Sequence, residues 1–106
     1  MKQAKRSLLM FSLVLLLAVA AQAATIRGKL VHKNNQPATG YEVTISNGEA
    51  GRSTPARVGA DGMFYFHNIA AGTYNLEIWV PGANAPTVYR INVIEPNTDV
   101  PQLSVP

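Results

Sequence analysis

From Thr25 onward, apolar and polar residues alternate in short runs, and each run ends in a cluster of Gly, Pro, Asn or Asp. That punctuation, at spacings of roughly 8–12 residues, predicts a series of short β-strands. Residues 25–32 set Ile26, Gly28 and Leu30 on one side and Arg27, Lys29 and Val31 on the other, and 33–37 break the run. Residues 41–46 alternate Tyr41, Val43 and Ile45 against Glu42, Thr44 and Ser46. Asn47-Gly48 ends that strand as a pair that favours positive φ. Residues 49–60 are poorly patterned and predict a single short edge strand around 56–58. Asp61-Gly62 is a strong turn signal; residues 63–68 then point Phe64 and Phe66 one way and Met63, Tyr65 and His67 the other. Residues 73–80 place Tyr74, Leu76 and Ile78 inward, with Asn75, Glu77 and Trp79 outward, and residues 87–95 place Tyr89, Ile91 and Val93 inward. The last strand, 99–103, contains Pro101, which cannot donate to a ladder and so belongs at an edge. No run longer than a turn has a 3.6-residue period. Seven strands with one apolar face each bury those faces against one another, which predicts an all-β, two-sheet sandwich of about 80 residues.

Ahead of the strands the pattern changes. Met1, Lys2, Lys5 and Arg6 belong to a short cationic start, residues 7–20 are apolar apart from Ser7 and Ser12, and Ala21-Gln22-Ala23 is a small-x-small site. These three parts are those of a secretory signal peptide, so residues 1–23 are expected to be a leader and 24–106 the exported domain. An uncleaved anchor is the competing reading, but the run from Ser7 to Ala24 is at the short end of what a bilayer core requires. The chain has no cysteine. A lipid-anchored form is thereby excluded, and the exported domain relies on its apolar core alone. The basic start points to a bacterial envelope protein, periplasmic or secreted, that meets a membrane only through its leader.

Charge then narrows the function classes. The whole chain is at +3, but the excess lies in the leader. The remainder has Arg27, Lys29, Lys33, Arg52, Arg57 and Arg90 against Glu42, Glu49, Asp61, Glu77, Glu95 and Asp99, and no net charge. Such a domain lacks the electrostatic footprint of a nucleic-acid binder.

Candidate chemistry is sparse. His32 and His67 are the only histidines; with no Cys and no short-spaced pair they do not make a zinc set, although strands sharing a sheet would bring them together near Tyr65. Ser46, Ser53 and Ser104 have no nucleophile context. Glu42 and Glu77 are expected as a solvated pair facing Arg90. No residue calls for a cofactor or metal. The feature that stands out is Trp79, outward with Asn75 and Glu77, and facing the same way as Val88, Arg90, Asn92 and Ile94 on the next strand and Thr44 and Glu42 on another. An aromatic ringed by Trp79's neighbours Asn75, Glu77, Arg90, Asn92 and Thr44 suits a sugar-binding or partner-binding face. Packing of Trp79 against the Pro81-to-Pro86 loop is the structural alternative.

Four motifs run in order: Ile26-x-Gly28-x-Leu30, Pro37-Ala38-x-Gly40-Tyr41-x-Val43-x-Ile45, Asp61-Gly62-x-Phe64-x-Phe66-x-Asn68-Ile69 and Gly72-x-Tyr74-x-Leu76-x-Ile78. Together they resemble the carboxypeptidase regulatory-like domain, within the transthyretin-like (prealbumin-like) and Cna-B-like sandwiches, over residues 25–103. The resemblance implies a seven-stranded Greek-key sandwich with 41–46, 56–58, 73–80 and 87–95 in one sheet and 25–32, 63–68 and 99–103 in the other. Where the family often has an acidic residue before the turn, this chain has Val58-Gly59-Ala60, which speaks against calcium at Asp61. An enzyme branch of the transthyretin-like group hydrolyses 5-hydroxyisourate and is known by a C-terminal Tyr-Arg-Gly-Ser; this chain ends Leu103-Ser104-Val105-Pro106. The expectation is therefore a non-enzymatic module that binds a glycan or an envelope protein. The alternative is an assembly partner acting through edge strands near 56–58 and 99–103.

Overall fold

A computed structural model of the chain describes residues 23–106. The expected leader, apart from Ala23, lies outside the described residues. Among these residues there are nine strand segments: β1 (Ala24–His32), β2 (Glu42–Asn47), β3 (Gly51–Arg52), β4 (Ala56–Arg57), β5 (Met63–Ile69), β6 (Gly72–Trp79), β7 (Thr87–Val93), β8 (Asn97–Asp99) and β9 (Leu103–Val105). Among the described residues there is no helix.

The segments fill seven strand positions, because two edges are each broken in the middle. One sheet runs β5-β1-β8, with β9 also on β1; the other runs β3-β2-β6-β7, with β4 also on β2. This is the predicted division of strands between sheets. The single strand expected over 99–103 is corrected to β8 and β9, both parallel to β1. Asp99 lies opposite Arg27 and Leu103 opposite Leu30, so three residues of the edge cover two of β1. Pro101 has no N–H to offer there, and the edge leaves the ladder.

The weakly patterned segment also differs from expectation, yielding β3 as well as β4. The Asn47 side chain accepts the N–H groups of Glu49 (3.1 Å) and Ala50 (2.6 Å), and the left-handed residue is Gly51, φ 78°, rather than either member of the Asn47-Gly48 pair. Ser53 then donates its N–H to the Ile45 carbonyl at 2.8 Å. Both edges named in advance are short broken pieces. The continuous open edges are β5 and β7, each hydrogen-bonded to one neighbour only.

The core lies between the sheets. Ile26, Leu30, Val43, Ile45, Phe64, Phe66, Tyr74, Leu76, Ile78 and Val93 are buried, as alternation predicts. Tyr41, Tyr89 and Ile91 are only partly covered, the last two because β7 is an edge. Val31, predicted to face outward, is buried; its backbone bridges Pro37 on one side and pairs with Ser104 on the other. Two glycines make room. A Cβ on Gly28 would stand 2.5 Å from Phe64 Cζ, so β1 gives up a side chain to admit that ring. Gly62, φ 82°, sits where a Cβ would meet the Leu30 carbonyl oxygen at 2.9 Å. Its turn is closed by the Asp61 carboxylate accepting the Met63 N–H at 3.0 Å, a structural role for that acid.

Candidate functional site

The outer face of the five-stranded sheet is set by register. Glu42 pairs with Trp79, Thr44 with Glu77 and Ser46 with Asn75 across β2 and β6; Asn75 pairs with Arg90, Glu77 with Val88 and Thr73 with Asn92 across β6 and β7. Trp79, Asn75, Glu77, Arg90, Asn92 and Thr44 therefore do share one surface, because side chains two apart on a strand point the same way.

Within that surface the six divide into two groups. Glu77 and Thr44 are covered, at 5% and 3% exposure. Arg52 at the β3 edge reaches across β2 and grips Glu77 with both arms, Nε to Oε1 at 2.8 Å and Nη2 to Oε2 at 3.0 Å. Thr44 Oγ1 donates to Oε1 at 2.6 Å and Ser46 Oγ to Oε2 at 3.1 Å. Thr44 in turn accepts the indole N–H of Trp79 at 2.9 Å, and the Arg52 guanidinium lies 5.3 Å from the Trp79 ring centroid. The Glu77 carboxylate is thus held at about 2, below its ordinary 4.5, mainly by the Arg52 hydrogen bonds, with Thr44 and Ser46 assisting against the cost of burial. The solvated Glu42–Glu77 pair is corrected: Glu77 is buried on Arg52, Glu42 faces Arg57 at 3.7 Å, and Arg90 serves neither. Trp79 is tied to Thr44 and Arg52 by these contacts.

The second group is solvent-facing. Arg90 and Asn92 are exposed, Asn75 is half-buried, and Val88 and Ile94 are 52% and 56% exposed. Asn75 and Arg90 border a shallow groove with Ser46, Asn47, Gly48, Thr73 and Tyr74, at the loop end of the sandwich. Arg90 has no ion pair among the described residues.

Arg52 is the residue that sequence reasoning missed. It stands between Gly51 and Ser53 in a segment without alternation, so nothing local assigns it a face. The usable signal was indirect: Glu77 sits mid-strand between Leu76 and Ile78, and a carboxylate there requires a cation from somewhere. The histidines share a sheet but not a neighbourhood. His67, near the start of β1, lies 3.5 Å from Thr25 Oγ1 and parallel to Tyr65; His32, at the other end, meets Tyr41 edge-on. Among the described residues no three His, Cys, Asp or Glu side chains are grouped as a metal set would be.

Several solved structures share the fold. The major pilin subunit of Bacillus cereus matches at 16% identity and TM-score 0.55, covering 79% of this chain and 29% of its own. A DUF3823 family protein of Bacteroides ovatus matches at 17% and 0.56, covering 76% and 43%. The chain thus spans less than half the length of these two. A Pseudomonas aeruginosa protein described as "a putative carbohydrate binding protein" matches at 14% and 0.53, covering 80% of this chain and 93% of its own. No curated protein matches the chain. The model of the carboxypeptidase regulatory-like domain matches residues 25–104, and with that span, these motifs and this two-sheet architecture the chain belongs to the carboxypeptidase regulatory-like domain family.

Proposed function

We propose that this chain is an exported, non-enzymatic module of the bacterial envelope that holds an envelope protein or glycan on the outer face of its five-stranded sheet. The observation that carries the reading is how Glu77 is used. A carboxylate that accepts four hydrogen bonds and stays ionised far below neutral pH is a poor proton carrier. It serves as scaffolding, fixing Trp79, Thr44 and Arg52 in place. The groups beside it, exposed Arg90 and Asn92 and half-buried Asn75, together with exposed Val88, are then free for a partner. Because the Trp79 N–H and the vicinity of its ring are already occupied, this face suits a protein, with Arg90 as an anchor, more than a stacked sugar. Support for an envelope setting comes from the leader pattern and from a fold shared with a pilin subunit and with a protein named for carbohydrate binding.

The test is capture. Immobilised wild-type domain and an Arg90→Ala/Asn92→Ala variant are compared for what they retain from envelope extract and from purified cell-wall polysaccharide. Both side chains are exposed, so the variant keeps the wild-type melting temperature. Loss of a specific retained species supports the reading; identical retention refutes it. A second reading, strand addition, is favoured by β7, seven residues long and unpaired along one edge. Size-exclusion over a range of concentrations decides it, since a strictly monomeric profile and no captured strand dispose of it.

A further inference from the structure

The opposite face, on the four-stranded sheet, carries a second constellation. Alternation in β5 sends Phe64 and Phe66 into the core and leaves Tyr65 and His67 outside, with Tyr65 47% exposed. Their rings are parallel to within 4° with centroids 6.3 Å apart, stacked one behind the other along the strand, so Tyr65 turns one face to His67 and the other toward Met63. Next to it, β1 presents Thr25, Arg27 and Lys29, with Arg27 paired to Tyr65 in register and Lys29 to Met63. Beyond β1, Asp99 accepts from Arg27 Nε at 2.7 Å and from Nη2 at 3.4 Å, both side chains remaining in solvent. Where the edge leaves the ladder at Pro101, a hollow opens, bordered by Arg27, Lys29, Met63, Asp99 and Val100. Lys29 has no ion pair among the described residues, and the nearby Asp61 carboxylate is engaged by the Met63 N–H.

We propose that this face binds a linear, carboxylated polysaccharide, with a uronate ring against the exposed Tyr65 ring and its carboxylate at Lys29 in the hollow. Each part has a matching chemistry. A pyranose offers a C–H face that stacks on an aromatic ring, as other apolar surfaces do. Its hydroxyls find an acceptor in Asp99 and donors in the remaining guanidinium N–H groups of Arg27. Lys29, whose ammonium pairs with no carboxylate among the described residues, offers its charge to the sugar acid. The proposal rests on the reading of the chain as an envelope binding module but uses the other sheet, so the two faces are separable by experiment.

The experiment is an amide-resolved NMR titration of the 24–106 domain with a guluronate hexamer at low salt, and with cellohexaose as a neutral glycan of equal length. Shifts centred on residues 25–29, 65–67 and 97–100 are expected with the uronate, weaker with cellohexaose, and fading as salt is added. Tyr65→Ala and Lys29→Ala each lower the affinity at an unchanged melting temperature. Equal binding of the two hexamers overturns the choice of an acidic sugar. Shifts centred on Trp79 and Arg90 instead overturn this site while leaving the envelope module standing. No shift at millimolar concentration of either hexamer overturns the site outright, and the Arg90/Asn92 capture result then judges the wider reading independently.

Discussion

Replacing Glu77 by Gln removes one charge from the outer-face cluster while keeping the side chain's size and its amide oxygen as an acceptor. The wild-type carboxyl is held at about 2 in place of 4.5. A depression of that extent corresponds to about 3 kcal/mol of preference for the ionised, folded form. Arg52, its main partner, is 53% exposed, so water screens part of the attraction, and we expect about 1.5–3 kcal/mol in practice. Since the folded value is the lower one, this stability is complete above pH 4.5 and is lost as pH falls from 4.5 toward 2. Urea titrations of wild type and Glu77→Gln at a series of pH values read it directly. At pH 7 the variant is less stable by about 1.5–3 kcal/mol, roughly 8–15 °C in melting temperature for a domain of this size. The two curves draw together as pH approaches 2, where the folded wild-type carboxyl is about half protonated and the unfolded one almost fully so. A gap that stays constant down to pH 2 would refute the argument, because the deficit would then come from shape rather than charge.

Other consequences are open to measurement. Thr44→Val deprives the Trp79 indole N–H of its acceptor and Glu77 of a donor, which costs about 1–3 kcal/mol in urea unfolding and shifts the Trp79 fluorescence. Gly28→Ala drives a methyl into the Phe64 ring and costs about 1–3 kcal/mol; combining it with Phe64→Leu recovers part of the loss, and strict additivity would contradict the steric account. Arg52→Ala speeds hydrogen exchange at Ser53 and the rest of the β3 edge while β1 and β5 amides keep their protection. Arg27→Ala breaks an ion pair that stands in water on both sides and leaves the melting temperature where it was.

The inward residues were legible because period-2 alternation is a local property: Phe64 and Phe66, or Leu76 and Ile78, announce their face within four positions. The division into sheets followed from the family resemblance. What alternation does not encode is coverage. It placed Thr44 and Glu77 on the outer face correctly, yet both are buried, since Arg52 arrives from a Gly- and Ser-rich stretch whose path depends on the Asn47 side chain capturing two backbone N–H groups. Val31 was misjudged for a related reason, because flanking chain at Pro37 and Ser104 closes over a nominally outer position. Tyr65 and His67 were read only as possible companions of a metal, and their parallel alignment is a rotamer property that the order of residues does not carry.

The first and last strands of the domain lie side by side and run in the same direction, with Ala24 at one pole and Val105, beside His32, at the other. Traction applied between the two poles would pull β1 lengthwise against β8 and β9. The backbone bonds of those ladders would then share the load and slide together, where a peeled hairpin would surrender them singly. Tension applied along β1 would thus meet the sandwich's most collective resistance.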